Sequence, residues 1–245
     1  MSEVSTSAPA VSVIVPVRNE AGNIVPLVAE IAAALAGRRF EVIYVNDGST
    51  DGTEAELNAL RAAHPWLRQV RHAQSCGQSA ALRTGILSAR GGIVVTLDGD
   101  GQNDPAFLPK LIEALERGAP KVGLVAGQRV GRKATGFKKF QSRVANAVRG
   151  SILRDGTRDS GCGLKAFPRD VGLALPYFDG LHRFLPALVR REGRDIGYVD
   201  VVDRPRGHGV SNYGFWDRLW IGILDLFGVW WLIRRKKRVP EISEV

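Results

Sequence analysis

The chain has 245 residues, 44% hydrophobic and 24% charged, enough for one α/β domain with a sizeable core and too apolar for general disorder. Two cysteines, Cys76 and Cys162, exclude a disulfide framework and point to a reducing compartment, and with four scattered histidines they exclude a structural zinc cluster. Lys+Arg outnumbers Asp+Glu by 34 to 25, a net +9 that calls for an anionic partner such as a phosphorylated substrate, an acidic lipid surface or nucleic acid. The excess sits in two places, residues 129–169 and the RRKKR run at 234–238, which leaves the remainder mildly acidic.

Residues 1–10 carry Glu3, no basic residue and no apolar run, so they read as a disordered tail and not as a signal peptide. VSVIV at 11–15 is a buried strand that should end at Pro16. Apolar residues at 24, 27, 28, 31 and 35 form a helical stripe, and Gly37 stops it. EVIYV at 41–45 is a second strand that runs into NDGSTDG at 46–52, a dense turn and capping cluster. A helix follows to about Ala63, then a short strand at 70–72 and a helix at 78–89 closed by Gly91 and Gly92. Residues 93–97 form a fourth strand leading into Asp98-Gly99-Asp100. Pro105 opens the next helix, and 122–126 is a fifth strand.

Further along, Phe140, Val144, Val148 and Ile152 recur every four residues, with Lys138, Lys139, Arg143 and Arg149 between them. That is a basic amphipathic helix, either lying on an anionic bilayer or packed with a solvated basic face. LWIGILDLFGVWWLI at 219–233 has Asp225 as its only charge and holds three of the five tryptophans. It is too short for a bilayer crossing, which takes about 20 apolar residues. Tryptophan followed at once by a basic run is the pattern of a cytoplasmic membrane interface, with a buried C-terminal helix as the plainer reading.

Strands alternating with helices predict a doubly wound, mostly parallel α/β sheet. Ligands in such sheets sit beyond the carboxyl ends of the strands. Residues 16–20, 46–51 and 98–104 all fall at such ends, so three polar loops should share one rim. No GxGxxG follows the first strand and no GxxxxGK[ST] occurs, which argues against a dehydrogenase or a P-loop enzyme. Asp98 and Asp100, one residue apart at a strand end and extended by Gln102, suit a hard divalent cation, magnesium or manganese. The same residues also suit an ordinary acidic loop, with Asp104 capping the helix at Pro105. Asp47 can accept a hydrogen bond from a base N–H or simply form a turn with Gly48. Ser49, Thr50 and Asp51 read as caps, and Cys162 as a packing residue.

PVRNE at 16–20, VNDGSTD at 45–51 and LDGDGQNDP at 97–105 together resemble family 2 glycosyltransferases with the GT-A fold. DSGCGLKAF at 159–167, HRFLP at 182–186 and RPRGHGVSNY at 204–213 narrow the resemblance to polyprenyl-phosphate glycosyltransferases, nearest the dolichyl-phosphate mannose synthase branch. The resemblance covers roughly 11–233. It implies a GT-A domain over 11–215, a membrane-interface helical segment over 216–238 and a tail over 239–245. It implies a donor nucleotide site of Pro16, Asn19, Glu20, Asp47 and Gln78, a metal held by Asp98, Asp100 and Gln102, and sugar contacts from Ser160, Gly161 and His182. Arg129, Arg143, Arg206 and Ser211 would bind the acceptor phosphate, with Asp98, Asp100 and Arg206 carrying catalysis. Relatives often read Ser-Lys-Tyr where this chain reads Ser211-Asn212-Tyr213, so that lysine's work falls to another cation or is not needed.

The activity so implied is inverting, metal-dependent transfer of a sugar from a nucleotide sugar to a polyprenyl monophosphate at the cytoplasmic face of the membrane, by a peripheral or monotopic enzyme. GDP-mannose is the modest favourite as donor, beside a UDP-hexose or UDP-uronic acid. Physical chemistry agrees, because a phosphate oxygen is already anionic at neutral pH and needs cations rather than a strong base. A glycan or other lipid acceptor is the alternative. Nucleic-acid binding through the basic segment is a distant one, with no recognisable motif to support it.

Overall fold

The structure, a computed structural model, describes residues 8–130, 149–205, 215–235 and 243. Seven strands form one sheet in the order β3-β2-β1-β4-β6-β5-β7. They are β1 Val11–Val17, β2 Phe40–Asp47, β3 Leu67–His72, β4 Ile93–Thr96, β5 Val122–Arg129, β6 Lys165–Pro168 and β7 Asp195–Val201. The helices are α1 Ile24–Ala34, α2 Thr53–Ala63, α3 Gln78–Ser88, α4 Leu108–Gly118, α5 Arg169–Ala174, α6 Leu185–Arg191 and α7 Phe215–Arg234.

β1 shows why the first apolar run reads as it does. Val11, Val13, Val15 and Val17 face one core with α1 and α4, while Ile14 faces a second with α3 and α6. A strand buried on both faces has no polar side to alternate. Burial of Ile24, Leu27, Val28 and Ile31 seats α1, each side chain contributing about 1.5–3 kcal/mol.

Four differences from the sequence reading matter. First, β1 continues through Pro16 to Val17, still in register with β2, whereas its pairing with β4 stops at Ile14↔Thr96. Proline lacks an N–H, and at position 16 no β4 ladder is there to need one. Second, β6 and β7 were not foreseen, and β6 is antiparallel to both β4 and β5, so the sheet is parallel only in the main. Third, Pro105–Phe107 is a short 3-10 turn ahead of α4, with Asp104 capping it as expected by accepting the Ala106 N–H at 2.9 Å.

The fourth concerns the basic amphipathic helix. Residues 131–148 lie outside the described residues, but 149–153 are helical. Arg149 there is buried and donates to both oxygens of the buried Asp155, so it is neither a solvated nor a lipid-facing cation. The C-terminal run forms the 20-residue helix α7, whose Val229 is buried in the second core. Among the described residues no helix is long and apolar enough to cross a membrane.

Candidate active site

The carboxyl ends of β1, β2 and β4 supply the three expected loops, and short-range polar contacts knit the first two together. Asn19 adopts φ 56°, in the left-handed region that asparagine tolerates. Its N–H donates to Ser49 Oγ at 3.0 Å and its Oδ1 accepts the Thr50 N–H at 2.8 Å. Glu20 donates its N–H to Thr53 Oγ1 and accepts from Asn23 Nδ2. Asp51 holds the N–H groups of Ala21 and Thr53, the capping work read from sequence.

Asp47 ends β2, buried, and accepts four hydrogen bonds: His72 Nδ1 at 2.7 Å and the Cys76 N–H at 2.8 Å on Oδ1, Ser75 Oγ at 2.8 Å and the Gly77 N–H at 2.9 Å on Oδ2. These bonds outweigh desolvation and hold its carboxyl below the usual range. In this structure Asp47 folds the loop at 72–77 across the rim. Asp47, His72 and Cys76 also bring ligand-type atoms within 4.8 Å of one another, but the imidazole is already bonded to Asp47 and to Thr84 Oγ1.

Asp98 follows β4 and is held from several sides. Its N–H donates to Asn103 Oδ1 at 2.9 Å, and its Oδ1 accepts from Gln78 Nε2, the first residue of α3, at 3.0 Å. Its Oδ2 lies against Gly163, where an added Cβ would stand 2.4 Å away. Only glycine fits there, which explains the second glycine of the GCG motif. Asp100 is buried nearby and accepts the Gln102 N–H at 3.1 Å. Burial, then the charge of Asp100, push the Asp98 carboxyl up to about 6, although Lys165 and Arg129 oppose the rise. Two crowded carboxylates offering hard oxygens, one of them costly to ionise, fit a divalent cation. Asp98, Asp100 and the Gln102 amide would hold it.

The far side of the site is built from ion pairs. Arg129, at the end of β5, donates Nε and Nη2 to Asp159 at 2.5 and 2.8 Å and Nη1 to Asp203 at 3.2 Å. Gly161 sits beside that guanidinium, and its N–H donates to Asp159 at 3.1 Å. Ser160 is half-buried in the same turn. A phosphate arriving at Arg129 thus meets a cation that already holds two carboxylates. Arg204 holds Glu30 and Asp104, and its N–H donates to the Gln102 carbonyl. Together with an Asn103↔Asp203 bridge, this ties the chain after β7 to the Asp98 loop. Lys165 is buried in β6, bonded to the Cys162 carbonyl, and burial lowers its pKa.

His182 lies in a 3-10 turn, Leu181–Arg183, with Nδ1 2.8 Å from Ser79 Oγ. Burial, aided by Arg183 and Lys165, pushes its pKa down to about 3, so it is neutral at pH 7. Arg143, Arg206 and Ser211 lie outside the described residues. Sequence reasoning gave no role to Ser79, Asn103, Lys165, Asp203 or Arg204. A lysine inside the apolar GLKAF run and Asn103 within the Asp98 loop, whose Oδ1 accepts the Asp98 N–H, were the local signals available; Ser79, Asp203 and Arg204 act through partners remote in the chain.

Comparisons with known proteins agree with this geometry. The family model described as glycosyl transferase family 2 matches residues 12–171. The dodecaprenyl-phosphate galacturonate synthase of Rhizobium johnstonii is 37% identical over 233 residues, 93% of this chain and 68% of that protein. The undecaprenyl-phosphate 4-deoxy-4-formamido-L-arabinose transferase of Aeromonas hydrophila is 33% identical, over 86% of this chain and 64% of its own. The chain thus spans about two thirds of the length of these curated relatives. Glucosyl-3-phosphoglycerate synthase from Mycobacterium tuberculosis, solved with Mn2+, UDP and phosphoglyceric acid, superposes with a TM-score of 0.68 at 21% identity, covering 94% of this chain and 80% of that one. The sheet and its flanking helices have the GT-A fold.

Proposed function

The chain belongs to glycosyl transferase family 2 and is a glycosyltransferase, and from that premise we propose that it moves a sugar from a nucleotide sugar to a polyprenyl monophosphate. The observation that carries the reading is the meeting of Asp98 and Asp100 with Arg129 at the strand ends, carboxylates for a cation near a guanidinium for phosphate. Both curated relatives are named for transfers involving polyprenyl phosphates. The sugars in their names are a galacturonate and a formamido-arabinose, so a uronic-acid donor belongs beside GDP-mannose, the favourite from sequence.

The nucleotide would lie against the loops carrying Pro16, Asn19, Glu20 and Asp47, with Asp47 acting chiefly by shaping the loop at 72–77. A divalent cation, magnesium or manganese, would offset charge on the departing nucleoside diphosphate. Gln78 and Asn103 orient Asp98 for it. Ser160, Gly161 and neutral His182 would frame the sugar, His182 as a hydrogen-bonding group and not as a cation. The acceptor phosphate oxygen supplies its own negative charge for a single in-line displacement that inverts the anomeric centre, and no base is required. Arg129, Arg143, Arg206 and Ser211 would hold that phosphate, Arg129 by exchanging a carboxylate for it.

The enzyme would work on the cytoplasmic face of the membrane as a peripheral or monotopic protein, with 11–215 as catalytic domain and 216–238 at the lipid interface. The outward Leu224, Phe227 and Trp231 of α7 support this. The test is a donor screen: undecaprenyl phosphate, Mn2+ or Mg2+, and a panel including GDP-mannose, UDP-glucose and UDP-galacturonate, read by mass spectrometry of the lipid. A lipid-phosphate sugar from one donor is the expected result. Nucleotide release without glycolipid would point to another acceptor, and silence from folded protein across the panel would sink the reading.

A further inference from the structure

α7 has two faces. Leu224, Phe227, Trp230 and Trp231 are exposed, whereas Val229 is buried and Leu226, Leu232 and Ile233 pack on the second core. Arg234 stacks over the Trp230 ring at 4.3 Å and Arg235 over Trp231 at 5.1 Å, an aromatic and cationic edge suited to anionic lipid. Asp225 falls four residues before Val229, on the inner face. Its Oδ2 is buried with no hydrogen-bond partner among the described residues. It points at Gly180, where a Cβ would stand 2.4 Å from that oxygen.

Gly180 is where α7 meets the site. It has φ +90°, a backbone that side chains resist, and its N–H donates to Ser79 Oγ at 3.0 Å. The same hydroxyl meets His182 Nδ1 at 2.8 Å. Ser79 is next to Gln78, which holds Asp98. A run of neighbours therefore leads from α7, through Asp225 facing Gly180 and the Gly180–Ser79 bond, to Gln78 and Asp98. Arg183 attracts the Asp225 carboxylate and Asp179 repels it, but no hydrogen bond closes on Oδ2, so this buried acceptor weakens one point of a helix seat that Val229, Leu226, Leu232 and Ile233 otherwise make apolar. A weakly held seat is one that a second contact surface can shift.

We propose that Asp225 and Gly180 form a joint through which seating α7 on an anionic lipid surface repositions Gln78 and Asp98, so that the donor site is completed at the membrane. Asp225 is a positioning residue in this scheme. The proposal rests on the membrane reading given above, and it assigns a regulatory contact to that site.

The full chain is tested with Mn2+ alone as probe, titrated by electron paramagnetic resonance with and without vesicles of phosphatidylcholine and phosphatidylglycerol. Vesicle binding is followed separately by sedimentation. Wild type should sediment with vesicles and bind Mn2+ roughly fivefold more tightly on them. Asp225→Asn, nearly isosteric, should still sediment but show one Mn2+ affinity in both conditions. Gly180→Ala should abolish the shift, and adding Asp225→Ala should restore part of the local fit, so that the two changes are non-additive in thermal unfolding. Sedimentation of wild type without any change in Mn2+ affinity, or an undiminished change in Asp225→Asn, overturns the joint and spares the membrane reading. Failure of wild type to sediment overturns both.

Discussion

The loops around Asp47 and those around Arg129 both fix a rim of the same site, but with different interactions. On the Asp47 side, side-chain oxygens accept backbone N–H groups: Asp47 from residues 76 and 77, Asp51 from 21 and 53, Asn19 from 50. On the Arg129 side, guanidinium groups pair with carboxylates, Arg129 with Asp159 and Asp203 and Arg204 with Glu30 and Asp104, and on the same half of the sheet Arg149 pairs with Asp155, whose carbonyl accepts from Tyr198 of β7. Backbone donors cannot leave, so the first rim is preformed. A guanidinium can trade one anion for another at little geometric cost, so the second rim can stay shut without phosphate and open to it. The contrast suits the proposed function, in which two anionic substrates would arrive on different sides.

The largest test of that contrast is in stability. Asp155 is buried against Arg149, accepts the Thr157 N–H at 3.0 Å and lends its carbonyl to Tyr198 Oη at 2.7 Å. Asp155→Ala leaves a buried guanidinium uncompensated, a loss of about 3–5 kcal/mol. Urea unfolding measures it. A loss below about 1 kcal/mol would mean that ion pairs do not hold this side together.

Asp98→Asn separates function from stability at the border of the two regions. On the proposed reading transfer should fall by roughly 100-fold or more, because the proposed site for the cation would be spoiled. The folded carboxyl titrates near 6, above its ordinary value, so the native state holds a proton that the unfolded chain has lost. Stability from this group is full at low pH and declines as pH rises through about 6. In chelator at pH 7 the asparagine variant should therefore be more stable than wild type, by about 2–3 kcal/mol at most, with the gain fading toward pH 4. Equal stability at both pH values would show that Asp98 is not strained by its neighbours.

The same contrast explains what the sequence disclosed. The first rim's bonds also join residues far apart, Asn19 to Thr50 across 31, but its turn and cap residues cluster in two short motifs, 16–20 and 46–52, at the ends of strands whose apolar runs are plain. The second rim has no such cluster to mark its partners. Arg129 meets partners 30 and 74 residues away, and Ser79 meets His182 across 103. Nothing local in a charged stretch says which arginine is paired. β6 has four residues, one of them a lysine, and is antiparallel to both neighbours, so neither its length nor its alternation marks it as a central strand. Pro16 misled because a proline reads as a strand end unless the ladder beside it is known to stop first.

Asp47→Asn probes the first rim. An amide nitrogen would replace one carboxylate oxygen and face donors, leaving one or two of four bonds unmade at about 1–3 kcal/mol. The expected signature is faster amide exchange at Cys76 and Gly77 with the sheet's protection unchanged. Loss of protection throughout the sheet would mean that Asp47 supports the whole fold and not one loop.

The smallest effect belongs to an ion pair transplanted, in effect, onto the wrong side. Arg71 and Glu54 meet at 3.4 Å beside the first rim, with 55% and 36% of their side chains exposed. Water screens both charges and two long side chains must be ordered, so Arg71→Ala should cost under about 0.5 kcal/mol, and that small cost should shrink further as salt is added. The charge and the partner type match those at Arg149; only the burial differs. A cost comparable to that of Asp155→Ala would mean that pairing itself, and not its removal from water, sets the strength of the second rim.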